Sequence, residues 1–449
     1  MKKTIKPLLL QAISSDWRLQ VRRQFFKAKR ILLRKSAQLS VYIKVDDPYS
    51  FLLLQALPSI EERFKVDFSI KVISTTDNVM FPEPTLWENH ALNDAMFLAQ
   101  LYNFLPVPAQ ETGLKEPNSE RTMAYTIKLQ DAINNKESWP KLIRIVYEFW
   151  ETSEGSELTE LTIDAGKKNS IKEQVKANTI ELSQRGHYLP ATVYYDGEWY
   201  WGVDRLDHLE QRLSQEQLKL TNVTSVVFNR TYNLERKRPD IAALPTAIND
   251  DVEIKNGKPI ELFWSARSPY SHIALLEGIS LASTYQVPLV VHPVLPMMMR
   301  GLFVPFKKAL YIFLDTKREA KKLGWPYGKL ADPLGDGVRR CYSLLNYARE
   351  NGRFLHYLVA FSEAVNTKGI RAETDKGLKK IVEKAGLDWE QAKQHLTNRS
   401  WQDEVERNQQ DMYSKGSWGV PVFRYHDIQV WGQDRIFVIE NAIKKDLVG

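Results

Sequence analysis

A short motif occurs twice in this 449-residue chain, and each copy is followed far downstream by the same second motif. The first copy reads Asp47-Pro48-Tyr49-Ser50, and the second reads Ser268-Pro269-Tyr270-Ser271. The downstream motif is an apolar residue followed by Pro, then a Trp-Gly pair and an Asp-Arg pair. It occurs as Leu189-Pro190 with Trp201-Gly202 and Asp204-Arg205, and as Val420-Pro421 with Trp431-Gly432 and Asp434-Arg435. The repeated order predicts a duplicated domain, and the differences between the copies indicate which one carries out chemistry.

Both copies lie within the same order of predicted elements. Hydrophobic alternation and turn residues predict a strand, a helix that opens at Pro, a second strand, a long helical insertion, a hairpin and a last helix. The elements of the first half are 39–45, a helix from Pro48, 64–73, an insertion over 85–185 and a hairpin turning at Asp196-Gly197. Those of the second half are 259–264, a helix from Pro269, 287–292, an insertion over 304–415, and strands at 421–425 and 429–431. Since parallel βαβ units cross over in the right-handed sense, few other topologies remain. The predicted fold class is α/β, with two thioredoxin-like domains that each contain a helical insertion.

The boundaries follow from this order. Residues 1–38 form a basic extension, 39–215 the first domain, 216–257 a polar linker and 258–449 the second domain. A chain of this length is too long for one core, and 43% hydrophobic residues are enough to fill two.

Targeting and redox signals point to the cytoplasm. No apolar run approaches the roughly 20 residues that cross a bilayer, and Asp16 and Arg18 come too early for a signal peptide. The single cysteine, Cys341, excludes an internal disulfide and any Cys-x-x-Cys redox or zinc-ligand pair, so no metal site is expected. We interpret Cys341 as a buried structural thiol.

The extension carries most of the positive charge. Up to residue 40 there are eleven Lys or Arg and one Asp. Apolar residues recur there at helical spacing, namely Trp17, Val21, Phe25, Ala28 and Leu32. Such a helix can make weak contact with an anionic membrane surface or with nucleic acid. We prefer the interpretation that it packs on its own protein and leaves a basic face in solvent. No nucleic-acid partner is expected, because nothing else resembles such a module.

Ser268 and Pro269 have the signature of a helix start. Ser at an N-cap accepts from a free N–H, and Pro in the first turn supplies helical φ without needing a partner for an N–H. A purely structural cap is therefore one interpretation. The other is that the exposed N–H groups stabilise an anion and that the Ser268 hydroxyl donates to a thiolate.

Pro421 and the turn after Trp431 allow two interpretations each. Pro421 is either an ordinary edge-strand proline or a cis proline that exposes the Val420 backbone to an extended ligand. Gln433 and Asp434, at a helix start after a glycine, either hold an ammonium and a carboxylate or form a cap with a surface ion pair.

Taken together, these motifs resemble the DsbA-type branch that contains kappa-class glutathione transferases and 2-hydroxychromene-2-carboxylate isomerases. The resemblance covers 258–449 and includes Pro305-Phe306-Lys307-Lys308 and Gly324-Trp325-Pro326. It implies that glutathione is a cosubstrate, that Ser268 replaces the redox cysteine and donates to the glutathione sulfur, and that the Val420 backbone before a cis Pro421 holds the cysteinyl part. Gln433 and Asp434 would face the γ-glutamyl end. The family's Asn-containing stretch is absent, and Arg300 or Lys308 is a candidate substitute.

The first copy resembles the family less. Asp47 matches Ser268, Leu189 matches Val420, and Val203 matches Gln433. Since a carboxylate repels a thiolate at short range, we expect the first copy to be catalytically silent and to pack against the second as an intramolecular pseudo-dimer.

The leading hypothesis is a glutathione-dependent isomerase or transferase acting on a hydrophobic small molecule, which we expect to be aromatic. Five apolar residues either line its acceptor pocket or belong to the core, namely Met297, Met298, Met299, Phe303 and Phe306. The alternative is a non-catalytic peptide- or protein-binding module that uses the Pro421 edge. A disulfide oxidoreductase is disfavoured, because neither 47 nor 268 is Cys.

Overall fold

The structure is a computed structural model that describes residues 11–74, 80–108, 120–151, 164–220, 226–229 and 258–448. Most of the expected linker and the first ten residues of the extension lie outside the described residues. The described chain divides into two compact units. The first unit lies within Gln20–Tyr232, and the second comprises Asn233–Gly449 with the residues before Gln20.

The first unit contains a four-stranded sheet with the order β2-β1-β3-β4. Its strands are β1 (Gln38–Ile43), β2 (Asp67–Val72), β3 (Thr192–Tyr195) and β4 (Glu198–Trp201). β1 and β2 are parallel, and the other two pairs are antiparallel. The helices up to residue 215 are α1 (Asp16–Leu32), α2 (Pro48–Arg63), α3 (Pro84–Tyr102), α4 (Glu120–Asn134), α5 (Trp139–Glu151), α6 (Ala165–Gln184) and α7 (Leu206–Gln215).

Helix α2 begins where the sequence predicts it. The Asp47 side chain accepts from the Ser50 N–H, and Pro48 takes the first helical position. The leucine-rich part of α2 is buried and contacts β1, while α4 and α6 contact β2. Helices thus cover the parallel pair, as is usual for parallel strands.

The second unit repeats this arrangement with the order β6-β5-β7-β8 and the same pairing directions. Its strands are β5 (Ile260–Trp264), β6 (Leu289–Pro293), β7 (Val422–Tyr425) and β8 (Ile428–Trp431). Its helices are α8 (Pro269–Tyr285), α9 (Phe306–Leu323), α10 (Asp336–Ser343), α11 (Leu345–Glu350), α12 (Phe354–Asn366), α13 (Asp375–Lys384), α14 (Trp389–Gln394), α15 (Trp401–Ser414) and α16 (Ile436–Val448).

The predicted fold class is confirmed. Both units are α/β, and in each a helical insertion separates the parallel pair from the hairpin. Some boundaries differ from the prediction. The strand predicted over 421–425 begins at Val422, because Pro421 has no N–H to donate to the sheet.

Helix α1 is attached to the first unit by the opposite face from the one we expected. Arg23 makes two hydrogen bonds of 2.8 Å to the Glu198 carboxylate. Arg30 donates to Tyr195, Asp196 and Glu216. The apolar residues Trp17, Val21, Phe25 and Leu32 are exposed instead. The helix packs on its own protein as expected, but the expectation that its basic face is solvated is wrong, because Arg23 and Arg30 make the inward contacts.

The Asp196-Gly197 turn explains why α1 can lie so close. Gly197 has φ +87°, which favours glycine, and a Cβ at this position would come within 2.9 Å of the Phe26 ring. A glycine here therefore allows both the hairpin turn and the close approach of α1. Among the described residues, no helix is both long and apolar enough to cross a lipid bilayer.

Candidate functional site

Ser268 is the N-cap of α8 in the second unit. Its backbone is extended (φ −71°, ψ 121°), and its Oγ accepts from the Ser271 N–H at 3.3 Å. Pro269 follows as the first helical residue. Ser268 is half-buried. The structural cap is real, and it leaves the hydroxyl proton for another acceptor.

That proton is directed to the segment before β7. Ser268 Oγ donates to the Val420 carbonyl oxygen over 3.3 Å, across 152 positions of the chain. Two of the residues expected at the site are therefore brought together. A hydroxyl that accepts from one N–H and donates to a carbonyl can redirect its single proton to an incoming anion.

The Val420–Pro421 peptide bond is cis. Pro421 is buried, and its carbonyl accepts from the Gly432 N–H at 2.8 Å. β7, which follows it, pairs with β5 on one side and β8 on the other. The interpretation of Pro421 as an edge-strand proline is therefore wrong, and β7 has no open side to which a peptide strand could add.

The turn after β8 brings Gln433 and Asp434 against the same helix. Residues Gln433–Arg435 form one turn of 3₁₀ helix that contacts α8. The Gln433 side chain is buried and donates through Nε2 to Asp434 Oδ1 at 3.0 Å. Asp434 is only half-buried. Gln433 therefore orients the Asp434 carboxylate, which is the more accessible of the two.

The apolar segment after β6 is not core. Met297–Arg300 form a short 3₁₀ helix without a buried residue, and Phe303 and Phe306 are exposed, Phe306 to 79%. Arg300 holds the segment by donating to the Trp418 carbonyl at 2.7 Å and to the Tyr413 hydroxyl at 3.3 Å. Trp418 lies two positions before Val420, so the apolar segment is connected to the chain that forms the candidate site.

Arg300 and Lys308 are the two residues proposed in place of the missing Asn. Arg300 is bonded to two groups of its own unit, the Trp418 carbonyl and the Tyr413 hydroxyl. Lys308 is half-buried near the start of α9. Burial lowers the pKa of Lys308 to about 8, which places its titration close to neutral pH.

Tyr342 is a supporting residue that sequence analysis did not identify. Its hydroxyl accepts from the Ala266 N–H at 3.2 Å and donates to the Val294 carbonyl at 2.7 Å. It thereby ties the loop before Ser268 to the chain after β6. In the same loop before Ser268, the Arg267 guanidinium makes two hydrogen bonds to the Asp332 carboxylate, at 2.8 and 3.0 Å. No sequence signal marks Tyr342, because Ala266 and Val294 are bonded through their backbone groups and lie far from it along the chain.

In the first unit, Asp47 occupies the position of Ser268. Its Oδ2 accepts from both the N–H and the hydroxyl of Ser50, at 2.7 and 2.6 Å. Burial raises the pKa of Asp47 to about 6, although these hydrogen bonds act in the opposite direction. This site therefore offers a buried carboxyl group where the second unit offers a hydroxyl.

The hairpin register corrects one expected match. Thr192 pairs with Trp201 as Val422 pairs with Trp431. The Gly202 N–H donates to the Ala191 carbonyl at 2.7 Å, as the Gly432 N–H donates to that of Pro421. Ala191 therefore occupies the place of Pro421, and Pro190, not Leu189, that of Val420. The sequence match is wrong by one residue.

Aromatic rings pack together where the first turn of α2 meets the end of β4. The centroids of Tyr49 and Trp201 lie 5.5 Å apart, and those of Trp87 and Trp201 lie 6.3 Å apart. Phe81 packs on Trp87 at 5.2 Å. At these distances the rings touch each other and leave no room for a ligand between them.

Cys341 is fully buried near the end of α10, as expected. Burial raises the pKa of its thiol well above the ordinary value. The chain thus has no thiolate for disulfide exchange at the candidate site.

One family model and several solved structures are similar to part of the chain. Residues 259–444 match the family model described as the DSBA-like thioredoxin domain. No curated protein matches the chain. A solved 2-hydroxychromene-2-carboxylate isomerase is similar at 21% identity and a TM-score of 0.36, covering 41% of this chain and 94% of that chain. A thioredoxin-like oxidoreductase from Silicibacter pomeroyi is 15% identical with a TM-score of 0.29, covering 42% of this chain and 88% of that chain. The second unit therefore has a DSBA-like thioredoxin fold over residues 259–444, and the sheet of the first unit has the same strand order.

Proposed function

We propose that this protein is a glutathione-dependent isomerase or transferase for a hydrophobic, aromatic small molecule, and that Ser268 stabilises the glutathione thiolate. One observation carries the proposal. The hydroxyl of the half-buried Ser268 at the start of α8 lies within hydrogen-bond distance of the Val420 carbonyl, so a donor and a half-buried backbone segment converge.

The chemistry follows from the hydrogen bonds of Ser268. Its Oγ is occupied as an acceptor by the Ser271 N–H, which polarises the hydroxyl and leaves it as a donor. A thiolate near the start of a helix is further favoured by the helix dipole. Together these effects lower the thiol pKa and increase the fraction of nucleophilic thiolate near neutral pH.

The rest of glutathione would bind through nearby groups. The Val420 backbone would contact the cysteinyl part. The half-buried Asp434 carboxylate, held by Gln433, offers a partner for the ammonium of the γ-glutamyl end. A hydrophobic acceptor would contact Met298, Phe303 and Phe306, whose exposure in a folded protein needs an explanation.

We also infer that the two units arose by tandem duplication and that the first has lost ligand binding. Their sheets share one strand order, and Asp47 corresponds to Ser268. A buried carboxyl group cannot favour a thiolate.

The proposal is tested by titrating the full chain with reduced glutathione in a calorimeter. Binding should be accompanied by a rise in the unfolding temperature. The pH dependence of the reaction of the bound thiol with an aromatic electrophile then reports the thiol pKa. We expect Ser268→Ala to raise that pKa by about one unit or more, because a hydrogen bond to a charged group is lost.

The matched control is Ser414→Ala, an exposed serine at the end of α15 in the same unit. It should leave both glutathione affinity and the thiol pKa unchanged. A native chain that gives no heat and no thermal shift with glutathione would overturn the proposal, and so would an unchanged pKa in Ser268→Ala.

A further inference from the structure

Helix α1 exposes an apolar face while its arginines hold it to the first unit. Arg23 and Arg30 are directed inward to Glu198, Asp196 and Glu216. This reverses the usual arrangement, in which apolar side chains face the protein and charges face water. The inward face is held by ion pairs, so the exposed face is a fixed feature of the folded chain.

The exposed face is continuous along the helix. Val21, Phe25, Ala28 and Leu32 follow each other at spacings of four, three and four residues, which places them on one side of the helix. We call these four residues the outward apolar stripe. Phe25 is 61% exposed and Leu32 is 83% exposed. Trp17, one turn earlier on the same helix, is 76% exposed. Large apolar side chains grouped in this way mark an interaction surface.

Cations accompany the stripe. Lys29 lies on α1 beside Ala28, and Arg34 and Lys35 follow the end of the helix, all three exposed. Within the described parts of the chain, no carboxylate forms a salt bridge with any of them. They differ in this from Arg23 and Arg30, whose charges are neutralised by the protein.

We propose that the outward apolar stripe, with Lys29, Arg34 and Lys35, docks the protein on the surface of an anionic lipid bilayer. An apolar stripe bordered by unpaired cations suits the interface between acyl chains and anionic headgroups. Charge decides against the closest alternative. A contact between two copies through this face would bring the same cations together, which costs energy, whereas an anionic surface attracts them.

The geometry allows a helix lying in the plane of the membrane. A helix of 17 residues is about 25 Å long. The stripe would enter the region between headgroups and acyl chains, and the cations would remain at the headgroup level. No part of α1 needs to cross the bilayer.

The test is flotation of the full chain with vesicles of phosphatidylcholine alone or mixed with phosphatidylserine. We expect binding only to the mixed vesicles, decreasing with added salt because the cations are exposed. Phe25→Asp should weaken binding by at least about tenfold, because it removes a large apolar group and adds a repelled charge. Met96→Asp, at an exposed methionine of α3, is the matched control and should bind like the native chain.

Lys29→Ala combined with Lys35→Ala should weaken binding to the mixed vesicles and reduce its salt dependence. Circular dichroism of each variant checks that α1 and both units remain folded. Failure of the native chain to float, or full binding by Phe25→Asp, would overturn the proposal. So would a native dimer in light scattering that Phe25→Asp converts to a monomer, because a second copy would then cover the stripe.

Discussion

The hydroxyl of Tyr270 donates to Oδ2 of Asp315 over 2.7 Å. This bond joins the first turn of α8, two residues after Ser268, to α9 in the helical insertion. Asp315 is buried and also accepts from Arg318 at 2.9 Å. The insertion therefore helps to hold the helix start that carries the candidate catalytic hydroxyl.

Removal of this hydroxyl should destabilise the second unit. We expect Tyr270→Phe to lower the free energy of unfolding by about 1–2 kcal/mol, because a hydrogen bond to a buried charged group is lost. Denaturant titration measures the change. Tyr311→Phe is the matched control, since its hydroxyl lies 3.5 Å from the same carboxylate and should contribute less. An equal or larger cost for Tyr311→Phe would contradict the assignment.

Glu261 should make the second unit sensitive to acid. Burial acts to raise the pKa of Glu261, but hydrogen bonds from His292 and Arg424 lower it to about 2. The folded state therefore favours the carboxylate. Its contribution is present above the unfolded pKa of about 4.3 and is lost as the pH falls towards 2.

Glu261→Gln should consequently flatten the stability profile between about pH 4.5 and 2, and should cost about 2 kcal/mol at neutral pH. Denaturant midpoints over a pH series provide the measurement. Glu406→Gln, at an exposed glutamate of α15, should retain the native profile. If the denaturant midpoint falls with decreasing pH as steeply in Glu261→Gln as in the native chain, Glu261 does not have this role.

Asp47 should have the opposite pH dependence. Its pKa of about 6 lies above the unfolded value, so its contribution is most favourable below about pH 4 and is lost as the pH rises through 6. Asn caps helices as well as Asp and cannot ionise. Asp47→Asn should therefore be more stable than the native chain at pH 8 by on the order of 2 kcal/mol, with no difference near pH 4.

Thermal and denaturant unfolding at the two pH values measure this effect. Asp388→Asn provides the control, because Asp388 caps α14 by accepting from the Gln391 N–H at 2.7 Å but is exposed. It should show little gain at pH 8. A gain for Asp47→Asn that is the same at both pH values would show that ionisation is not the cause.

Arg30 should determine whether α1 stays attached. Its guanidinium bonds Tyr195, Asp196 and Glu216 at 2.6–2.8 Å. We expect Arg30→Ala to cost about 2 kcal/mol and to speed amide exchange throughout α1, because largely buried anions lose their partner. Hydrogen exchange monitored by mass spectrometry measures this directly. Lys29→Ala, one residue away and exposed, should leave the exchange unchanged, and equal protection in both variants would refute the prediction.

Local signals were sufficient to predict much of the fold. Pro48 and Pro269 each follow a capping side chain, and both helices begin where that signature places them. The Asp196-Gly197 pair likewise predicted a hairpin turn. These features depend on neighbouring residues, so the sequence shows them directly.

Features that depend on distant partners could not be predicted. The spacing of Val21 and Phe25 defines a helix face, but Glu198 and Glu216, far along the chain, decide which face is packed. The alignment of Leu189 with Val420 failed for a related reason. Strand pairing sets the register of each hairpin. Relative to the paired strands, the Leu189-Pro190 dipeptide lies one residue earlier than the Val420-Pro421 dipeptide does.

The burial of Cys341 has a practical consequence. Since its sulfur has no exposed surface in the native chain, a thiol-specific dye can label the protein only when the surrounding helices open. The labelling rate therefore reports how often the second unit opens, and no engineered cysteine is needed. Ligands that bind that unit can be recognised by how much they slow the dye.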